Sequence, residues 1–455
     1  MKKFTVNAPS YTESVCPVCL QKLPAQRISL GEEVYLEKTC PTHGEFRTLI
    51  WRGNPDIVTW VNLKTPSHPA VCYTDIKQGC PYDCGLCPAH RQHTCTALLE
   101  VTQRCNLNCS ICFADAGGNC GSDPSLALVE SWYQAVRDAS GPCNIQLSGG
   151  EPTLRDDLPD IVSLGHRMGF YFIQINTNGL RLASDPSYAV KLSQAGLSSA
   201  FLQFDGTDES IYEQLRGQKL LELKKAAIRN CADANIGVVL VPTLVPSVNI
   251  GNIGSILRFA IAHMPTVRGV HFQPVSYFGR YAGMTVPQER ITIPDILRRI
   301  EQQMDGAIAT SDFRPPGCEH ALCSFHGKFI ILSDGTLKSV RMESNSCCQK
   351  TPTAAEGATK TKRFVSLHWG APQAPAVETS ANPSAYSEWD HFIDYARSHT
   401  LTISGMAFQD AWTLDLERLK SCCIHVVSPD GRLIPFCAYN VTDVQGRSLY
   451  RNEMK

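Results

Sequence analysis

The chain has 455 residues, a formal net charge of −1 from 42 basic and 43 acidic side chains, and 21 cysteines. The length suffices for a large core and more than one domain, while the balanced charge leaves no electrostatic footprint for nucleic acid, so no such partner is expected. No apolar stretch approaches the roughly 18 residues of a membrane span, and the N-terminus has no signal-peptide core; the clustered thiols are therefore expected in a reducing cytoplasm, as metal ligands rather than disulfides.

Within residues 1–70, Cys16-x2-Cys19 and Cys40-Pro-Thr-His43 flank a stretch of strand-like alternation, Glu33 to Glu37. Two short-spaced ligand pairs around a hairpin predict a knuckle in which Cys16, Cys19, Cys40 and His43 hold one ion, zinc or rubredoxin-like iron. A module with so little apolar core needs such a staple. Residues 71–96 bring Cys72, then Cys80-Pro-Tyr-Asp-Cys84-Gly-Leu-Cys87, then Cys95. Cys80, Cys84, Cys87 and Cys95 are expected to hold an auxiliary iron–sulfur cluster, with Cys72 as the substitute fourth ligand.

From Thr96 the pattern alternates strand and helix. Predicted strands are Ala97–Val101, Asn144–Leu147, Tyr171–Asn176, Ser199–Phe204, Gly237–Leu244 and Val270–Val275. Predicted helices start after Asp123-Pro-Ser, where Leu126, Val129, Trp132, Tyr133 and Val136 share a face, and continue with 158–168, 188–195, 209–215, 220–235, 253–263 and 294–304. Six such units over residues 97–310 predict an α/β fold, a partial (β/α)6 TIM-like barrel with its chemistry at the C-terminal strand ends.

The first of these strands runs into Cys105-x3-Cys109-x2-Cys112. Three thiolates are one short of the four an iron–sulfur cube normally takes, which leaves one iron open to a small molecule. Gly149-Gly150-Glu151-Pro152 ends the second strand, where glycines admit close backbone approach to a ligand. Asn176 and Asn178 end the third strand, Gln203 and Asp205 the fourth, and Arg216 follows. His271 and Gln273 alternate on the sixth, with Tyr277 and Arg280 beyond, as candidate lining at the substrate end.

Over residues 311–455 the pattern changes. Cys318-x4-Cys323 precedes a strand–turn–strand with a Ser-Asp-Gly turn, and a similar unit recurs between Cys422-Cys423 and Cys437. Two cysteine-flanked hairpins are expected to grip another cluster through Cys318, Cys323, Cys422 and Cys437, with Cys423, Cys347 or Cys348 as competitors. Residues 351–387, rich in Ala, Pro, Thr and Ser, read as a flexible insert.

The Cys-x3-Cys-x2-Cys triple followed by Gly-Gly-Glu-Pro resembles the radical S-adenosylmethionine (SAM) superfamily. There the open iron of a 4Fe-4S cluster chelates SAM, and an electron from the cluster releases a 5′-deoxyadenosyl radical. That family often has an aromatic just before the third cysteine, near the adenine; here the position is Ile111, and Phe113 follows. The resemblance implies SAM contacts at Gly149, Gly150, Glu151, Pro152, Asn176, Asn178, Gln203, Asp205 and Arg216, the last toward the SAM carboxylate. With the N-terminal knuckle, the Gly-Cys-Pro-Tyr-Asp-Cys-Gly-Leu-Cys-Pro run and the C-terminal Pro-Asp-Gly-Arg-Leu-Ile-Pro-Phe-Cys, the chain is similar to the multi-cluster subgroup that includes tetraether lipid synthase and pterin-precursor methylating enzymes.

The subgroup implies one or two auxiliary 4Fe-4S clusters, a mononuclear metal, an electron donor such as flavodoxin or ferredoxin, and C–C bond formation or methylation at an unactivated carbon of a lipid or pterin-like small molecule. Resemblance alone leans toward the lipid, which would ask for transient membrane contact, although no basic amphipathic helix stands out. The alternatives are a radical SAM enzyme that modifies a peptide and, from another class, an iron–sulfur electron carrier or scaffold without SAM chemistry.

Overall fold

A computed structural model describes residues 10–61, 64–117, 121–281, 289–340, 351–372 and 388–451. At the N-terminus β1 (Ser10–Val15), β2 (Lys22–Leu30), β3 (Glu33–Cys40) and β4 (Gly44–Arg52) form an antiparallel sheet in chain order. This module is fastened to the rest of the protein by polar contacts. The Lys38 ammonium donates to Ser14 Oγ and to the carbonyls of Ala411 and Trp412, Arg27 pairs with Asp415, and Arg52 pairs bidentately with Asp295.

The barrel strands follow: β5 (Thr96–Thr102), the short β6 (Ile111–Cys112), β7 (Asn144–Gly149), β8 (Ile173–Thr177), β9 (Ser199–Gln203), β10 (Gly237–Val241), β11 (Thr243–Leu244), β12 (Val267–Pro274) and the short β13 (Arg280–Tyr281). The C-terminal region adds β14 (Ser324–Ile331), β15 (Leu337–Ser339), β16 (Thr400–Met406), β17 (Ile424–Val427) and β18 (Leu433–Pro435). One sheet runs β15-β14-β16-β12-β10-β9-β8-β7-β5-β17-β18, with all pairings from β16 to β17 parallel.

The structure is thus the α/β partial barrel expected, but the parallel run does not stop at six strands. β16 joins beside β12 and β17 beside β5, so the C-terminal region continues the barrel sheet. The two hairpins, β14–β15 and β17–β18, sit at opposite ends of this strand order.

Each predicted helix is present within a residue or two, from Leu126–Ser140 to Ile293–Gln303, with an added turn at Leu180–Ser184. The stretch read as a flexible insert contains a helix, Ala354–His368, started by a capping box between Thr353 and Glu356. Residues 373–387 of that stretch lie outside the described residues.

Alternation sorts the strand side chains onto two faces. Ile145, Leu147, Ile173, Ile175, Val238 and Leu240 are buried in the core that also takes Val129, Trp132 and Val136 of the first barrel helix. Their neighbours Asn144, Gln146, Ser148, Gln174, Asn176, Gln203, His271 and Gln273 line a cavity inside the barrel. A parallel sheet covered on both faces is ordinarily apolar on both; here the inner face is a wall of amides.

Candidate active site

The cavity holds about 270 Å³ and reaches from the mouth of the barrel, at the C-terminal strand ends, toward its floor. Cys105, Cys109 and Cys112 all line its mouth. Their loop is held from outside: Arg280 donates to the carbonyls of Cys109 and Ala116, and β13 pairs with β6. Arg280, expected at the substrate end, therefore braces the cysteine loop.

Gly149 and Gly150 also line the mouth, and a contact within the chain itself requires both to lack a Cβ. A Cβ at Gly149 would lie 2.1 Å from the Thr102 carbonyl oxygen, and one at Gly150 2.1 Å from that of Arg104. The glycines let the end of β7 press against the chain entering the cysteine loop, with Gly150 and Glu151 N–H groups donating to those same carbonyls. Glu151 is buried, and its carboxylate accepts from the backbone N–H and hydroxyl of Thr153, the Thr177 hydroxyl and the Asn178 N–H. It clamps the ends of β7 and β8 together; Pro152 opens the short turn that follows.

Asn178 donates to Asn106 within the cysteine loop. Asp205 is fully buried behind the cavity wall, where it grips Arg216 bidentately (2.7 and 2.8 Å). Arg216 lines the cavity and also donates to the Ile111 carbonyl, one residue from Cys112. Asp205 thus orients Arg216 and makes no contact of its own with the cavity. The sequence reading missed Lys224: its fully buried ammonium donates to the Asn178 carbonyl and to Gln203 Oε1, with burial lowering its pKa to about 8. Only its place in an otherwise amphipathic helix could have flagged it.

Deeper in, the polar groups are less well served. Among the described residues, Asn144 Nδ2, Gln174 Nε2 and Asn176 Oδ1 are buried without a hydrogen-bond partner, although Asn176 Nδ2 makes long contacts to Gln146 and Ser148. His271 shares a hydrogen bond with Ser404, and burial lowers its pKa to about 4. Opposite these groups Phe113, Phe278, Phe408 and Phe436 form an apolar wall.

The remaining cysteines regroup. Cys16, Cys19, Cys40 and His43 bring their ligand atoms within 4.8 Å of one another, with His43 Nδ1 3.6 Å from Cys16 Sγ and 3.4 Å from Cys40 Sγ. That arrangement fits one tetrahedral ion. Cys95 does not lie with Cys80, Cys84 and Cys87. Pairing of β5 with β17 sets it against Cys423, their sulfurs 3.1 Å apart, and Cys318 completes that group. Cys72 fits beside the Cys80–Cys87 loop instead, where Tyr73 N–H donates to the Gly85 carbonyl and Thr74 to that of Asp83. The expected C-terminal set also loses Cys318: Cys323, Cys422 and Cys437, together with Cys423, line a second, smaller cavity that shares Glu319, Phe408 and Phe436 with the main one, with Arg418 donating to Cys323 and the Gln409 N–H to Cys437. Cys347 and Cys348 lie outside the described residues.

Residues 99–260 match the radical SAM superfamily, and residues 8–52 match the HMPTM N-terminal zinc ribbon domain. A relative from Methanocaldococcus jannaschii, described as 7,8-dihydro-6-hydroxymethylpterin dimethyltransferase, is 35% identical across 98% of this chain and 94% of its own. The chain belongs to the radical SAM superfamily. A second relative, a probable GTP 3′,8-cyclase of Methanothermobacter thermautotrophicus, is 33% identical over 33% of this chain and 48% of its own. Among solved structures, Streptococcus suis SuiB bound to S-adenosylmethionine is similar over 48% of each chain, at 15% identity and a TM-score of 0.40. The protein is a radical SAM enzyme, and among the described residues no helix is long and apolar enough to cross a membrane.

Proposed function

We propose that this enzyme methylates, or forms a C–C bond on, a small polar heterocycle of the pterin type. One observation carries the reading: the cavity below the cysteine triple is walled by amides whose Asn144 Nδ2, Gln174 Nε2 and Asn176 Oδ1 have no hydrogen-bond partner among the described residues. Buried polar groups are normally paired, and a planar ring edged with donors and acceptors supplies what these groups lack. The pterin substrate in the description of the relative from M. jannaschii agrees with that chemistry.

Cys105, Cys109 and Cys112 would hold a 4Fe-4S cluster at the mouth, where the thiolate count leaves one iron for SAM. When bound, that pair supplies a primary carbon radical able to take hydrogen from a strong C–H bond. The chain's own task is placement and exclusion. Arg216, fixed by Asp205, presents a guanidinium to the SAM carboxylate; Glu151 keeps the ends of β7 and β8 in register beneath the cysteine loop; the phenylalanine wall keeps water from the reacting carbon. Gln203 and Asn178, braced by Lys224, define the rim between cofactor and substrate. Cys72, Cys80, Cys84 and Cys87 would hold one auxiliary cluster, and Cys323, Cys422 and Cys437 three corners of another, with flavodoxin or ferredoxin as the electron donor.

The phenylalanine wall favours a second reading, an alkyl chain coupled at an unactivated carbon, in line with the lipid-synthase resemblance. Anaerobic enzyme with dithionite and SAM, assayed for 5′-deoxyadenosine with a 6-hydroxymethyl-dihydropterin or an isoprenoid lipid present, separates the two. A methylated pterin is the expected product. Cleavage with product only from the lipid would replace the first reading by the second, and absence of SAM cleavage would sink both.

A further inference from the structure

Among the described residues, two sets of three or more ligands bring their ligand atoms within 4.8 Å of one another: the N-terminal knuckle, and Cys95, Cys318 and Cys423. The SAM-site triple is not among them, nor are Cys80, Cys84 and Cys87. Spacing carries chemistry here. A single tetrahedral ion with metal–sulfur bonds of about 2.3 Å sets its sulfurs roughly 3.8 Å apart, whereas the corners of a four-iron cube hold thiolates farther apart. Cys95, Cys318 and Cys423, each at most 1% exposed, have sulfurs within 4.8 Å of one another, with Cys95 and Cys423 at 3.1 Å, on the compact side of that division.

From this we infer a mononuclear metal site beside the barrel floor, formed by Cys95, Cys318 and Cys423, for a thiophilic divalent ion such as zinc. Glu319 follows Cys318 directly; its carboxylate lies outside the group of three sulfurs, and its Oε2 is buried with no hydrogen-bond partner among the described residues. It also reaches the wall of the main cavity, so the ion would sit just behind the chamber that takes the substrate. Binding exchanges thiol protons for the cation, with no change of oxidation state.

The surroundings are built to keep this group together. Cys95 N–H donates to the Cys423 carbonyl at 2.8 Å. The Cys318 carbonyl accepts from Gln92 and Lys64, and Lys64 also reaches the Glu319 carbonyl. Ala358 of the helix Ala354–His368 packs on the three sulfurs, and Gly357 lies so close that a Cβ would fall 2.2 Å from the Gly317 carbonyl oxygen. The three cysteines also come from telling places. Cys95 leads into β5, Cys423 into β17 and Cys318 toward β14, and β17 and β14 lie near opposite ends of the sheet. An ion here would tie the two ends together across a seam that no strand pairing closes among the described residues.

The test is metal content of anaerobically purified holoenzyme grown with excess zinc. Cys423→Ser and Cys318→Ser should each lose one zinc per chain, and the double variant should lose one, not two, with cluster iron unchanged. Native mass spectrometry of the unmodified holoenzyme should count one zinc beyond the N-terminal knuckle, a readout that does not depend on any variant folding. Loss of about four irons together on Cys423→Ser, the open-iron or full cube count, would overturn the assignment in favour of a cluster. A Cys95–Cys423 disulfide in the holoenzyme, or no zinc beyond the knuckle, would overturn it outright.

Discussion

The mouth and the inner wall of this barrel treat their polar groups in opposite ways. At the mouth Glu151 accepts from four donors, Arg216 is held by Asp205, and Asn178 bonds to the cysteine loop. A few residues deeper, the amides of Asn144, Gln174 and Asn176 leave buried atoms without partners among the described residues. The difference separates two jobs. The mouth is a finished scaffold whose geometry is fixed before any ligand arrives, while the inner wall spends stability on groups that a ligand must complete.

The strongest way to break that division is at the mouth. Cys109→Ala should abolish SAM cleavage, read as 5′-deoxyadenosine formed with dithionite, because two thiolates cannot replace three. Retained cleavage would move the SAM site to Cys80–Cys87 and reverse the roles assigned to the two regions. Gly150→Ala should come next: its Cβ meets a backbone carbonyl, which cannot step aside as a side chain can, so about 3 kcal/mol of overpacking is expected. Thermal unfolding with cluster absorbance checks it. A variant of unchanged stability and full iron content would mean that the glycine serves ligand approach instead.

The mouth was also the part most legible in sequence. Cys105, Cys109 and Cys112 lie within eight residues, so their grouping needs no knowledge of the fold. Cys95 shows the limit: Cys87 is near it in sequence, yet strand pairing places Cys423 beside it from the far end of the chain. That β17, read as one strand of a hairpin, joins the barrel sheet beside β5 was hidden for the same reason, since alternation says that a segment is a strand but not which sheet it joins; β16 was not read as a strand. The helix Ala354–His368 was legible and overlooked: Thr353 and Glu356 are a capping-box pair, masked by the weak composition around them. The amide wall was legible too, as Asn144-x-Gln146-x-Ser148 and Gln174-x-Asn176, but recognising it required knowing which face of each strand looks inward.

Midway between the two regions, His271 sharpens the comparison through pH. It is buried, shares a hydrogen bond with Ser404, and has its pKa lowered from 6.5 to about 4 by desolvation. Above about pH 6.5 the imidazole is neutral in both folded and unfolded chains, and its contribution is fully present. As pH falls from there toward 4, the unfolded chain binds a proton that the folded one refuses, so stability is lost across that window, by about 3 kcal/mol. Thermal midpoints between pH 7 and 4 should fall less steeply in His271→Gln than in the parent. Identical slopes would mean that the imidazole is solvated in the folded protein.

The smallest effect is the most discriminating, because it should change sign between two measurements. Gln174→Met keeps side-chain volume close to the original and removes a buried Nε2 that has no partner. An unsatisfied buried donor costs about 1–3 kcal/mol, so the variant should be more stable by about 1 kcal/mol in denaturant unfolding. The same change deletes a hydrogen bond offered to the substrate, so kcat/KM for product should fall roughly threefold to tenfold. SAM cleavage, which depends on the mouth, should stay near the parent value. A finished scaffold group would behave otherwise, losing stability and activity together. If Gln174→Met lost both, the amide wall would belong to the scaffold, and the case for a polar heterocycle in the chamber would lose its main support.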